Sequence, residues 1–242
     1  MDVVTTADRP DLEQQAADAF RVTWPEFIFH DPVAKQFVPR VGTYFARYDV
    51  LLLDEGRVVA GGWGVPMAWD GSPDDLPDGY DGALARAVDG HEAGVPATTL
   101  CLMAVAVAHE KSRRGLAAAV LSALRQRGAD DGLGHVVAPL RPTTKARYPL
   151  VPMSRFATWT RADGLSVDPW LRTHQRLGAM VLGPAPRSMV ITGTVAEWES
   201  WADMVFPESG RYVVPHALNL VEIDLVADVG TYVEENLWVQ HA

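Results

Sequence analysis

The sequence predicts an α/β or α+β fold around a largely central sheet, and three stretches carry that expectation. Residues 48–69 have the pattern of a β-hairpin, two apolar runs about a turn. Thr98 to Val107 is a continuous apolar run of the kind buried on both faces of a sheet. Leu116 to Arg127 then reads as a helix and His135 to Leu140 as the next strand. A strand–helix–strand crossover of this length implies that the two strands are parallel.

Taken in order, Asp8 to Phe20 has an acidic, capping-type start and sets Leu12, Ala16, Ala17 and Phe20 at helical spacing. Trp24 to Val38 is a second helical or irregular stretch, rich in aromatics. Tyr48 to Leu53 and Val58 to Trp69 flank the turn Asp54-Glu55-Gly56-Arg57. Gly61, Gly62 and Gly64 within the second strand mark a place where another group comes close to the backbone. Residues 70–97 are dense in Gly, Pro and Asp around a short apolar helix, Ala83 to Val88, and read as an insertion forming a flap. A second insertion spans 141–167, with Met153 to Arg161 as a helix. Asp168-Pro169 opens another helix, which stops at Leu177-Gly178. Ala179 to Leu182 and Ser188 to Thr192 read as strands separated by a Pro184 to Pro186 turn. Val195 to Phe206 is helical, and Ala217 to Leu225 and Leu237 to His241 are late strands. Without repeats or low-complexity tracts, 1–242 is expected to be a single domain.

Composition narrows the function. With 48% hydrophobic and 21% charged residues, the chain has material for a sizeable core. A net charge of -10, and no basic run longer than Arg113-Arg114, argue against nucleic acid. The single cysteine, Cys101, excludes an internal disulfide and a cysteine zinc site. No His-Glu-x-x-His motif is present, and no metal is expected. No apolar stretch of membrane-spanning length and no signal pattern occur, so a cytoplasmic protein is expected; a homodimer is compatible with the sequence, which leaves the oligomeric state open.

The sharpest local feature is Val105-Ala106-Val107-Ala108-His109-Glu110-Lys111-Ser112-Arg113-Arg114-Gly115-Leu116-Ala117. A buried strand runs into a short polar loop, and a glycine stands at the first turn of a helix. Free backbone N–H groups and the positive end of the helix dipole then converge on one point. Arg113 and Arg114 add charge to this anion site. Gly115 removes a Cβ from the place a phosphate would take. The loop is neither a P-loop nor a dinucleotide-binding Gly-x-Gly-x-x-Gly, and a plain strand–loop–helix junction reads equally well from these residues alone.

Val107 to Ala117 resembles the acetyl-CoA loop of the GNAT superfamily, a strand ending in Val, then a loop, then Arg/Gln-x-x-Gly-x-Gly/Ala. Gly115 and Ala117 match, and Ser112 stands where Arg or Gln is usual. Trp170 to Ala179 is similar to the later helix of that family, which ends Tyr-x-x-x-Gly-Phe; His174 falls at the tyrosine position. The order of elements agrees over roughly residues 1 to 225. The resemblance implies a GNAT-like mixed sheet whose parallel strands, Thr98 to Val107 and His135 to Leu140, splay apart. It implies an acyl-CoA-dependent N-acyltransferase, with acetyl-CoA or another acyl-CoA as co-substrate and a small-molecule acceptor. Pantetheine would pair with Ala106 and Val107, and Ser112, Arg113, Arg114, Gly115, Leu116 and Ala117 would hold the pyrophosphate. The amine would attack the thioester directly, with His174 protonating the leaving thiolate. Other acyl-thioester chemistry (decarboxylation, S- or O-transfer) and a non-catalytic CoA-binding domain remain as alternatives. The strand Thr98 to Val107 lacks the carboxylate that many members use in deprotonating the amine, which leaves His91, Glu92 and His109 as stand-ins for the base.

Three further groups have both a functional and a structural reading. The basic stretch Arg141 to Arg147 follows a sheet strand, where ligands tend to bind. Trp24, Phe27, Phe29, Trp63 and Trp69 would either wall an acceptor pocket or fill the core. Cys101, among Leu100, Leu102 and Met103, reads as a small core residue.

Overall fold

The computed structural model describes residues 1–21, 23–108 and 115–241. The chain runs β1 (Asp2–Thr5), α1 (Glu13–Arg21), α2 (Pro32–Phe45), β2 (Asp49–Asp54), β3 (Arg57–Met67), α3 (Tyr80–Glu92), β4 (Thr99–Val107), α4 (Leu116–Asp130) and β5 (His135–Leu140). It continues through α5 (Met153–Phe156), α6 (Pro169–Arg176), β6 (Met180–Gly193), α7 (Val195–Ala202), β7 (Gly210–Tyr212), β8 (Val221–Asp224) and β9 (Val229–His241). The nine strands form one mixed sheet of order β1-β2-β3-β4-β5-β9-β8-β7, with β6 paired to β9. Of the pairings among the described residues, β4 with β5 is parallel and the rest antiparallel.

Helices cover both faces, and the glycines of β3 show how closely. A Cβ on Gly61 would stand 2.8 Å from the Phe20 ring of α1, and one on Gly62 would stand 2.8 Å from Val120 of α4. Trp63, on the same face as Gly61, meets Tyr80 of α3 edge-on, and α3 packs along α2. So α1, α2 and α3 lie on one face. On the other lies α4, with Arg125 reaching the carbonyl of Leu177 at the end of α6. The main core runs through the sheet's centre, and a second cluster joins Phe27, Ile191, Trp198, Phe206 and Tyr232 under α7.

Local chemistry sets the helix ends. Asp31 caps α2 by accepting from the Ala34 N–H at 2.8 Å, with Pro32 at the first helical position. Asp168 caps α6 through the N–H groups of Trp170 and Leu171, each at 3.0 Å. Thr194 and Glu197 close a capping box on α7.

Several expectations are corrected. Residues 70–97 do not form a loose flap: Ala83, Leu84, Ala87 and Val88 of α3 are buried in the main core. The two strands expected in 179–192 are one, β6, with irregularities between Val181 and Gly183 and between Ala185 and Met189 that absorb the prolines. The helix over 153–161 is a single turn, and the one over 195–206 stops at Ala202 because Asp203 turns left-handed. β1 is an addition, and β9 begins well before Leu237. No helix among the described residues is long and apolar enough to cross a membrane.

Gly79, just before α3, fixes how that helix meets the sheet. Its φ of +94° lies where L side chains are rarely found, and a Cβ there would stand 2.5 Å from the Cα of Ser188. Tyr80 N–H donates to Ser188 Oγ at 2.8 Å, which is why the approach is so close. Gly79→Ala should lower stability by about 2–4 kcal/mol, combining overpacking and backbone strain. Denaturant unfolding checks this; a loss below about 1 kcal/mol would show that the contact yields easily.

Candidate active site

The site begins where two strands part. β4 and β5 pair over three residues only, Thr99 with His135, Leu100 with Val136 and Cys101 with Val137. Past that point β4 stays with β3 up to Val107, and β5 stays with β9 up to Leu140. Trp63 pairs with Ala104 and Gly64 with Leu102, so Met103 is an extra residue that bends β4. Exposure begins there, with Ala104, Val105 and Val107 half-buried after a fully buried run. The backbone of Leu102 to Val107 therefore has no strand partner on its β5 side. Such groups must be met by water or by a ligand.

The carboxyl end of β4 leads to α4, whose N-cap is Gly115 at φ +102°. Among the described residues no side chain caps this helix, and Ala119 N–H closes on the Gly115 carbonyl at 2.9 Å. The N–H groups of Leu116 and Ala117 stand in its first turn, at the positive end of its dipole. Among the described residues nothing lies within 4 Å of a Cβ built on Gly115. Open space beside a positive dipole end suits a phosphate group. Ser112, Arg113 and Arg114, with His109 and Glu110, lie outside the described residues.

His174 is placed differently from expectation. It is 1% exposed at the end of α6, and its Nδ1 lies 2.9 Å from His241 Nε2. His241 pairs with Val136, beside the rungs where β4 and β5 still hold together. His174 therefore sits behind the closed end of the cleft. Burial, and then the neighbouring His241, push its pKa down to about 3; burial and Arg125 push that of His241 down to about 4. A neutral imidazole hydrogen-bonded to another buried imidazole is not set to protonate a departing thiolate.

Other predicted groups disperse as well. Arg141 spends its guanidinium on Glu234 at 3.0 Å and on the His216 carbonyl at 2.7 Å, and Lys145 is buried with Nζ on the carbonyls of Leu218 and Tyr148. The basic stretch is thus largely internal structure. Glu92 bonds Arg40 and Tyr44, and His91 packs on Tyr44 and Phe45, on the outer end of α3. Phe27 belongs to the cluster under α7, Phe29 lies beneath Arg21, and Trp69 is buried with Nε1 on the Ser72 carbonyl. Of the aromatic set, Trp63 stands at the parted strands, paired with Ala104. Cys101 is fully buried, and burial raises its thiol pKa, as its core reading required.

The sequence reading missed a buried polar group on the α2–α3 face. Along β9, Tyr232, Glu234 and Asn236 alternate inward. Glu234, with no exposed surface, accepts from Arg141, from Tyr232 Oη at 2.8 Å and from Asn236 Nδ2 at 2.9 Å. Nearby, Asp31 at the start of α2 and Asp81 at the start of α3 face one another. Asp31 Oδ1 and Asp81 Oδ2 accept from Ala34 and Val190 N–H, but Asp31 Oδ2 and Asp81 Oδ1 are buried without a donor. Burial, followed for Asp81 by the charge of Asp31, raises both carboxyl pKa values, that of Asp81 to about 8. The only signal in the sequence was an acid at each helix start, which reads as capping.

A cleft between splayed parallel strands, leading to the N-terminus of α4, suits an extended ligand that ends in phosphate groups, as in a mixed α/β transferase that uses a nucleotide thioester. Arginine N-acetyltransferase avaD of Aspergillus versicolor is 32% identical over 269 residues, covering 98% of this chain and 92% of that protein. No family model matches the chain. The loading GNATL domain of CurA from Lyngbya majuscula shares the fold at a TM-score of 0.63, with 18% identity over 99% of this chain and 96% of that one. GphF GNAT-like decarboxylase in complex with isobutyryl-CoA does so at 0.58, with 16% identity over 100% and 99%. The chain belongs to the GNAT superfamily and is an acyl-CoA-dependent N-acyltransferase.

The histidine pair gives stability a pH dependence. Both rings bind protons more weakly folded than unfolded, so the unfolded chain takes up protons first as pH falls below about 6.5. Stability should drop between about pH 6.5 and 4, by up to about 1 kcal/mol per pH unit for each ring. His174→Gln should flatten this acid limb in thermal melts and keep turnover within about threefold. A turnover loss near 10² would return His174 to the proton path.

Proposed function

We propose that this enzyme transfers an acetyl group from acetyl-CoA to a nitrogen of a small cationic acceptor of the arginine type. The observation that carries this is the three-rung parallel pair with its bulge at Met103, opening toward the α4 N-terminus. The relationship to an arginine N-acetyltransferase supports the acceptor class.

In this reading pantetheine adds to the free edge of β4 at Ala106 and Val107. Its pyrophosphate meets Leu116 and Ala117 N–H over Gly115, with Ser112, Arg113 and Arg114 completing the loop. The thioester then lies in the gap and the acceptor enters from the α2–α3 face. A neutral nitrogen attacks the thioester carbonyl, the C–S bond breaks, CoA leaves as a thiolate, and the proton lost from nitrogen ends on solvent or on the thiolate. Fixing both reactants across one gap supplies most of the assistance, since the thiolate is a tolerable leaving group. In this reading the chain 1–242 acts as one unit, in the cytoplasm.

Thiol release from acetyl-CoA should depend on L-arginine or agmatine and yield an acetylated product with a mass increase of one acetyl group. Thiol release without any acetylated amine would point to other thioester chemistry. Gly115→Asp places bulk and negative charge at the phosphate position and should weaken CoA by at least about tenfold in calorimetry. Unchanged CoA affinity in the folded variant would remove this loop from the site.

A further inference from the structure

We infer that Asp31 and Asp81 form the recognition site for the acceptor's cationic group, exchanging a proton held between them for a guanidinium or ammonium. The inference deepens the proposed acetyl transfer and rests on it for the identity of the acceptor.

The two acids come from different helices and meet on one side of the parted strands. Asp31 is the N-cap of α2 and Asp81 lies in the first turn of α3. Tyr80, beside Asp81, contacts Trp63, whose partner in β4 is Ala104, the first half-exposed residue beyond the bulge. Glu234 acts on both acids electrostatically and is bonded to Arg141, the residue that follows β5. The pair therefore lies between the ends of the two strands, on the face opposite α4.

What marks a ligand is the contrast with Glu234. Glu234 is fully compensated by Arg141, Tyr232 and Asn236. Asp31 is equally inaccessible, yet its Oδ2 has no donor, and neither has Asp81 Oδ1. Two buried carboxyls in hydrogen-bond reach without a counter-cation can satisfy each other only by sharing one proton. The ionisable groups that act on them are Tyr80 from α3 and Glu234 from β9, and the cation beside Glu234, Arg141, is already committed to it. Asp81 is half-buried with its Oδ1 inside, so it is the member of the pair nearer the surface, while Asp31 stands behind. A guanidinium, planar and forked, offers donors to both carboxyls at once. On its arrival the shared proton leaves to solvent, so the pair goes from one negative charge to two beside one positive charge.

The test is calorimetry of the whole chain with L-arginine and with L-citrulline, its uncharged isostere, in buffers of different ionisation enthalpy. Near pH 6.5 L-arginine should bind at least about thirtyfold tighter than citrulline and release close to one proton. Asp81→Asn and Asp31→Asn should each abolish most of that discrimination and the proton release, while CoA affinity stays unchanged. Asparagine still caps α2, so Asp31→Asn keeps the fold. Asp81→Asn should also raise the melting temperature at pH 8, because a buried carboxyl with a raised pKa weakens the fold as pH rises through it. Retained thirtyfold discrimination in both variants would overturn the inference, even if arginine is acetylated. Arginine binding that needs both acids, without acetyl transfer, would uphold it and refute the proposed acceptor.

Discussion

The site depends on the loss of hydrogen bonding between β4 and β5 after Cys101 and Val137. Parallel strands keep their ladder when both are free to follow one another. Here each is bound on its far side, β4 to β3 through Val107 and β5 to β9 through Leu140. The extra residue Met103 adds local twist and carries the end of β4 away. The cost of the open ladder falls on the backbone of 102–107, which a bound extended chain can recover. Small side chains at Ala104 and Ala106 leave that edge open. Fold and binding thus share one set of backbone groups.

Two ways of holding buried acids stand side by side in this molecule. Glu234 is neutralised by a guanidinium and two further donors, so removing any of these would leave a charge stranded. Asp31 and Asp81 gain from the positive ends of α2 and α3 and from one backbone N–H each. Those contributions are outweighed by burial, joined for Asp81 by the charge of Asp31, which is why their pKa values rise and not fall. A protein gains nothing in stability from such a pair. A cationic ligand would supply the charge and the donors that the pair lacks.

How much of this was legible depended on how local the determinant was. The strand Thr98 to Val107, the helix from Leu116 and the strand His135 to Leu140 are continuous in sequence, and their composition and punctuation sufficed. Asp168-Pro169 likewise announced α6 through its cap. β6 was misread because prolines at 184 and 186 look like a turn, whereas β6 itself takes extra residues between Val181 and Gly183 and between Ala185 and Met189 and stays paired with β9. β9 was read too short because Glu234 and Asn236 occupy its inward positions and break the apolar alternation. His174 was singled out by the resemblance of its helix to the later helix of the family, but its setting is decided by His241, 67 residues away. Asp31 and Asp81, each an ordinary helix-start acid alone, become a site only when α2 and α3 pack together.

The arrangement also accounts for the missing carboxylate in β4. An acid on that strand would stand in the same gap as the thioester, on an edge that here carries only alanine and valine past the bulge. This chain instead has its acids on the α2–α3 side, one layer away from the strand that CoA would occupy. Separation by the sheet puts the negative charges of the carboxyls and the phosphate-binding end of α4 on opposite faces. An acidic pocket on the α4 face would repel the pyrophosphate over a few ångströms. With the sheet between them, a cationic acceptor held at the acid pair and an anionic thioester would each meet a face of opposite charge. They would come together where the strands part, and attack there also requires a route for the one proton that the nitrogen loses.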